Sequence, residues 1–437
     1  MNRQRMFSCT GIRLVLCASV GFLQCVCTAT TFAASHRIAV SDTWNNRVLI
    51  FDYPLSTNES ASVVLGQADF FHGAPNRGEN PAADTLRNPQ GLATDSSGNL
   101  YVADTGNCRI LQFHPPFTSG MNASLIIQDP GFATKRCDAD APDYLSQVNG
   151  LAVPASIMVD RSGDLIVSDS ANSHILEYAP PFSSGIPPTV VLGRSWAVTY
   201  DPLGCPYPDG HPTASTLCRP RGTAFDSGGD LWLVDGANRV LEFAPPFSPG
   251  MAAKLELGQP ADSDFTSDFD RAPWCQQHFA PDDPTYEKVC PDGRSSPSSE
   301  SLSDPASIAF DAHGNLWVAD EANGRILEYV PPFSNGMAAT KVIGEVDFRH
   351  QGLGGPRFPP VVSASTLIDP SDFSFDSSGD LLVVDHLQNR ILGYKPPIRS
   401  SMPAVLVLGR ADFSGYEFHR GGVTANRFDG PSYLLVF

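Results

Sequence analysis

Six aspartates hold one place in a repeated phrase: Asp42, Asp104, Asp169, Asp235, Asp320 and Asp385. Regularly spaced carboxylates invite a metal reading, since cations such as calcium take several oxygen ligands. Five arginines follow at matching places, Arg47, Arg109, Arg239, Arg325 and Arg390. A carboxylate with its own arginine is better used in a charge-assisted hydrogen-bonded pair. Each aspartate is therefore expected to accept hydrogen bonds from its own turn or to pair with its arginine, a structural role. His174 stands in the arginine place of one copy, and His386 directly follows Asp385. Either could line the mouth of a central channel.

Other chemistry lies in segments that do not repeat. The stretch from Gly258 to Pro305 holds Trp274, His278 and Tyr286, with an acidic run of Asp262, Asp264, Asp268 and Asp270. An earlier stretch, from Gly193 to Pro220, holds Trp196, Tyr200, Tyr207 and His211. Exposed aromatics on a stapled loop suit carbohydrate or protein recognition. The competing reading is a lid packed on its own side chains. Calcium could use the acidic run, but the glycine-turn spacing of a calcium loop is missing, so no cofactor is expected.

The elements that position these residues follow from the repeat. Its phrase is Pro-x-x-φ-x-x-Asp-x-x-Gly-(Asn/Asp)-Leu-x-(Val/Leu)-x-Asp. It runs Pro89–Asp104, Pro154–Asp169, Pro220–Asp235, Pro305–Asp320 and Pro370–Asp385. After each copy come an Asn and, except at His174, an Arg. An aromatic and a Pro-Pro turn follow, as in FHPPFTSGM (113–121), and then a short apolar run ending in Leu/Ile-Gly. Each unit reads as four short strands, rich in β-branched and aromatic residues and joined by DSSG-type turns. Gly98, Gly163, Gly229, Gly314 and Gly379 are expected to supply a positive φ in those turns. No sustained 3.6-residue pattern appears, so little helix is expected.

The two ends complete one another. The segment beginning HRIAVSDTWNNRVLIF at residue 36 matches strands two and three only, and GPSYLLVF (430–437) matches strand one only. Joined, they make a sixth unit and remove an open sheet edge. The expectation is all-β: a six-bladed β-propeller closed by the C-terminal strand 430–437 joining the N-terminal blade. The blades are 36–66 plus 430–437, 88–128, 153–193, 219–258, 304–344 and 369–409, together forming one domain over 35–437.

The segment NPQGLATDSSGNLYVADTGNCRILQF (88–113) resembles an NHL repeat, and the rest of the chain is similar to exported bacterial NHL-repeat proteins. The resemblance implies the propeller fold and little about activity, because such propellers bind proteins, bind RNA or, rarely, catalyse. Related six-bladed folds include calcium-dependent lactonases and a zinc-dependent amidating lyase. The lyase resemblance implies histidines at equivalent places of several blades, and here only His174 sits so. A lactonase would need Glu, Asn and Asp from different inner strands. Strand one here is mainly apolar and small, with Asp372 the main acidic exception.

Strand direction puts the strand 2–3 turns and the long blade-to-blade connections on one face, where long loops mark a site. Parts of those connections recur, QADF (67–70) with EVDF (345–348) and RADF (410–413), and ADTLRNP (83–89) with ASTLIDP (364–370). Recurring parts point to packing.

The chain of 437 residues has 29 Lys plus Arg against 47 Asp plus Glu, a net charge of −18. Such a surface repels phosphate backbones, which argues against nucleic-acid partners. Residues 1–34 read as a secretory leader: Arg3, Arg5 and Arg13, then an apolar run from Leu14 to about Cys27, then small residues at Ala33 and Ala34. That run is short for a membrane span. A lipid anchor would need a small residue before its cysteine, whereas Gln24 precedes Cys25 and Val26 precedes Cys27. A secreted or periplasmic monomer is expected.

Beyond the leader stand Cys108, Cys137, Cys205, Cys218, Cys275 and Cys290. An even number in an exported chain suggests disulfides. Fifteen pairings are possible, of which the local set Cys108–Cys137, Cys205–Cys218 and Cys275–Cys290 is favoured. The last two would each contribute roughly 3 kcal/mol in the chain-entropy model. A zinc site is the rival, unsupported by any CxxC or HxxxH spacing. The function expected is a secreted, non-catalytic scaffold that binds a protein or carbohydrate ligand on the long-connection face. The alternative is a lactonase-like or lyase-like enzyme with an axial metal.

Overall fold

The computed structural model describes residues 36–127, 151, 153–193, 212–259, 265, 297–350, 361–414 and 422–437. These form six four-stranded antiparallel sheets, five of them paired in sequence order and the sixth joining the last strand to the first three. Blade 1 holds β1 (Arg37–Asp42), β2 (Arg47–Asp52) and β3 (Val63–Leu65). Blade 2 is β4 (Leu92–Thr94), β5 (Leu100–Asp104), β6 (Arg109–Phe113) and β7 (Leu125–Ile127). Blade 3 is β8 (Pro154–Val159), β9 (Leu165–Asp169), β10 (His174–Tyr178) and β11 (Val190–Leu192). Blade 4 is β12 (Thr223–Phe225), β13 (Leu231–Asp235), β14 (Arg239–Phe243) and β15 (Leu255–Leu257). Blade 5 is β16 (Pro305–Phe310), β17 (Leu316–Asp320), β18 (Arg325–Tyr329) and β19 (Lys341–Ile343). Blade 6 is β20 (Pro370–Phe375), β21 (Leu381–Asp385), β22 (Arg390–Tyr394) and β23 (Leu406–Leu408). The last strand, β24 (Pro431–Val436), returns to blade 1 and pairs with β1, Ile38 opposite Val436 and Val40 opposite Leu434. This is the six-bladed β-propeller, its ring closed by the C-terminal strand.

Second strands such as LYVAD and LLVVD are buried along their whole length. Alternation is absent because each blade is covered on both faces, as in any sheet packed between two layers. Among the described residues the apolar core accordingly has six large clusters, each built from two adjacent blades. One of them unites Leu382, Val384, Ile391 and Leu408 of blade 6 with Ile38, Val40, Leu49 and Phe51 of blade 1. Burial of those faces is the main favourable term holding first and last blades together.

The turn glycines Gly98, Gly163, Gly229, Gly314 and Gly379 have φ of 77°, 90°, 90°, 79° and 79°. Helix among the described residues is confined to short 3-10 turns. None is long and apolar enough to cross a membrane.

Along the inner wall every junction between blades has its own hydrogen bond. Ser41 Oγ donates to Gln90 O (2.5 Å), Ser168 Oγ to Arg221 O (2.6 Å) and Ser371 Oγ to Ser432 O (3.0 Å). Gly91 N donates to Ala155 O and Gly222 N to Ala306 O, both at 2.9 Å. Ser307 Oγ donates to Asp372 Oδ1 at 2.5 Å. Glycine is required at the backbone-to-backbone junctions: a Cβ on Gly222 would lie 2.5 Å from Ser307 Cα, and one on Gly91 2.7 Å from Ile157 N.

Candidate functional site

The repeated aspartates hold the ring together. In all six blades Asp Oδ1 accepts a backbone N–H from the segment entering its own blade: Arg87 to Asp104, Val153 to Asp169, Cys218 to Asp235, Ser303 to Asp320, Ile368 to Asp385 and Asp429 to Asp42. Oδ2 accepts from the arginine Nε in five blades, at 2.6–2.8 Å. The rest of each guanidinium reaches the connections. Arg47, Arg239, Arg325 and Arg390 donate to the carbonyls of Phe70, Phe265, Phe348 and Phe413. Arg109, Arg239, Arg325 and Arg390 also donate to Thr85 O, Thr216 O, Ser301 O and Thr366 O. One arginine therefore pins the end of the connection entering its blade and the start of the one leaving it, which is why pieces such as EVDF and ASTL recur. A cation at these carboxylates would have to displace buried N–H donors.

His174 sits opposite Asp169 in register, half-buried. Trp196, Tyr200, Trp274 and His278 lie outside the described residues, as do Cys137, Cys205, Cys275 and Cys290 and the acidic run at 262–270. Cys108 and Cys218 are buried. Among the described residues, one carboxylate trio has metal-ligand spacing, Asp226, Asp230 and Glu242. Lys254 Nζ already lies 2.5 Å from Asp230 and 2.9 Å from Glu242, so its ammonium occupies two members of the trio and would compete with a cation there.

A different site emerges where the repeat breaks. The residue after each repeated aspartate begins the strand 2–3 turn, on the face of the long connections. In four blades it clasps the next blade. Thr43 Oγ1 donates to Pro89 O (2.6 Å), Thr105 Oγ1 to Pro154 O (2.7 Å), Ser170 Oγ to Pro220 O (2.5 Å) and His386 Nδ1 to Pro431 O (2.9 Å). Blade 4 has Gly236 here, with no side chain to donate, and blade 5 has Glu321. The residue after each repeat proline is small or uncharged elsewhere, Gln90, Ala155, Ala306, Ser371 and Ser432, but in blade 4 it is Arg221.

These departures meet. Arg221 Nη1 lies 2.5 Å from Glu321 Oε2 and 3.4 Å from Asp304 Oδ1. Asp369 of blade 6 lies close enough to Glu321 for each carboxyl to shift the other's titration. An ionic chain thus crosses the two adjacent junctions at which the clasp is missing. Arg221 is 31% exposed in its side chain and Asp304 64%, so one flank opens to solvent, while Glu321 is only 9% exposed. Burial pushes the Glu321 carboxyl up, against the pull of Arg221. Asp369 is held well above the usual range by burial and then by the Glu321 and Asp385 charges. Burial and mutual repulsion thus favour the protonated form of this pair.

The same mouth continues into blade 1. His386, whose pKa burial lowers, feels the Arg221 charge. Its ring meets Trp44 edge-on at 4.8 Å, and Trp44 is 38% exposed. Below, Asp372 and Tyr433 line the inner wall. Of the candidates read from sequence, His386 belongs to this mouth. Arg221, Glu321, Asp369 and Trp44 were missed; Arg221, Glu321 and Trp44 each depart from the other five copies at their place, the signal that could have found them, whereas Asp369 has the like residue Asp304 in blade 5.

The family model for the NHL repeat matches residues 86–113. No curated protein matches the chain. Among solved structures, the chain is similar to virginiamycin B lyase from Staphylococcus aureus at 13% identity, over 71% of this chain and 70% of that one, with a TM-score of 0.34. It is similar to the periplasmic gluconolactonase of Pseudomonas aeruginosa at 13% identity, over 92% and 98%, with a TM-score of 0.44. A protein from Lactobacillus plantarum gives 12% identity, 92% and 99%, and 0.46. Likeness this distant says nothing of activity. The chain is a six-bladed β-propeller that carries the NHL repeat.

Proposed function

We propose that the chain is an exported, monomeric, non-catalytic scaffold that binds a protein or carbohydrate ligand on the face bearing the long connections. The observation carrying this reading is the substitution of the blade-to-blade clasp, at two adjacent junctions only, by the chain Arg221–Glu321–Asp369. At this clasp position the residues that hold the next blade recur as hydroxyls in three blades, Thr43, Thr105 and Ser170. A ligand, which is not six-fold symmetric, needs one region to differ. The exposed Trp44 face and the Arg221 guanidinium supply stacking and directed hydrogen bonds on that region, features enriched where binding energy concentrates. The reading needs no cofactor.

Three local disulfides, Cys108–Cys137, Cys205–Cys218 and Cys275–Cys290, are proposed to staple this face. The burial of Cys108 and Cys218, away from solvent, is compatible with the first two. Free thiols at these positions in non-reducing peptide maps would reject them.

The binding test uses the purified chain lacking residues 1–34 on a glycan array and a panel of surface proteins, followed by titration of the hits. A saturable ligand whose affinity drops tenfold or more in Arg221→Ala is expected. Equal binding by wild type and variant would move the site elsewhere. Stoichiometric calcium or zinc with lactone turnover would replace the scaffold reading by the enzyme alternative.

A further inference from the structure

The inner-wall position that begins each propeller junction is occupied by Gly91, Ser156, Gly222, Ser307, Asp372 and Tyr433. Only one of these is a carboxylate. Asp372 is 6% exposed, and its two oxygens face opposite neighbours. Oδ1 accepts from Ser307 Oγ of β16 at 2.5 Å, and Oδ2 accepts from Leu434 N of β24 at 2.7 Å. One side chain of blade 6 thus ties blade 5 to the strand that closes the ring. That strand is the only link between the C-terminal end of the chain and blade 1 in the sheet order, so what holds β24 holds the closure.

We propose that Asp372 is a pH-sensitive latch on ring closure, holding β24 most firmly when its carboxyl carries a proton. The protonated acid keeps both contacts: its carbonyl oxygen accepts from Leu434 N, and its O–H donates to Ser307, whose hydroxyl can donate or accept. The ionised form keeps them as well but leaves an uncompensated charge on a buried wall. Among the described residues no cation pairs with it; Arg221, which acts on the neighbouring Tyr433, is engaged by Glu321 and Asp304. On β16 and β20 no other residue titrates. Across on β21 the one acid, Asp385, lies at the strand end and is bound to Arg390. On β24 the one titratable group is Tyr433, whose hydroxyl burial keeps protonated.

Burial pushes the Asp372 carboxyl from the ordinary 3.8 up to about 7, against the opposing bonds from Ser307 and Leu434 N. When β24 lifts away the group regains water and its ordinary value. The sign follows: the closed ring binds a proton that the opened ring releases. The stabilisation is therefore complete below pH 3.8 and is lost as pH rises through about 7. One linked proton changes the opening equilibrium about tenfold per pH unit within that window.

The test is amide hydrogen exchange on the purified propeller from pH 5 to 8, corrected for intrinsic exchange rates. The opening equilibrium of β24, read at Leu434 and Phe437, is expected to rise about 50-fold between pH 5 and 7 and to level off by about pH 8. In Asp372→Asn the β24 profile is expected to be flat. Asp372→Ser, which installs the residue of blades 3 and 5, serves as the second variant should the amide fold poorly. A flat wild-type profile, or an equal slope in either folded variant, overturns the latch.

Discussion

At the scale of the residue, the strongest contrast is between buried groups that are saturated and a few that are not. Arg325 makes all its contacts inside the protein, to Asp320 Oδ2, Phe348 O, Ser298 O and Ser301 O. The hydroxyls of Tyr329 and Tyr394 are buried without a hydrogen-bond partner. Phe51, Phe113 and Phe243 fill the same strand position in other blades, each opposite the first residue of a second strand or its equivalent. An unpaired buried hydroxyl costs about 1–3 kcal/mol. Tyr329→Phe and Tyr394→Phe are therefore expected to match or exceed the wild type by about 1 kcal/mol in urea unfolding. A loss of that size would show that the hydroxyls are satisfied in solution. The aspartates and arginines could be read from the sequence because each pair recurs at fixed short spacing. Arg221 stands out in the sequence as a departure from the other copies, but its role does not, since its partner Glu321 lies 100 residues away and the pair arises only when blades 4 and 5 are packed together.

At the scale of the element, short strands are legible and their junctions are not. Period and turn chemistry mark LYVAD, LWVAD and LLVVD as strands, and the glycine of each DSSG-type turn follows from its positive φ. Which neighbouring strand an inner residue touches is a tertiary fact. Gly91 and Gly222 look like ordinary loop glycines in the sequence, yet they let two blades approach through their backbones. The consequence is testable. In Gly222→Ala the new methyl meets Ser307 Cα and Ala306 O, backbone that cannot yield without moving β16. A loss of about 1–3 kcal/mol is expected, the usual cost of overpacking, with raised amide exchange in β12 and β16. Wild-type stability in that variant would mean that the junction is looser than drawn.

At the scale of the whole molecule, closure of six blades follows from two incomplete ends that fit together, and the pairing of β24 with β1 realises it. The same symmetry argument locates function. Thr43, Thr105, Ser170 and His386 spend their position on holding the next blade, while Glu321 gives that contact up for Arg221 and Asp369. A site built for a ligand at the expense of the scaffold should be improvable as scaffold. The most direct measurement is the urea unfolding free energy of Glu321→Thr, which restores the residue of blades 1 and 2. The account predicts a variant more stable by about 0.5–1.5 kcal/mol, the worth of one hydrogen bond to Pro370 O, with Arg221 left to Asp304 and water. A variant less stable by about 3 kcal/mol or more, the cost of breaking a buried ion pair, would contradict it and make the ionic chain part of the ring.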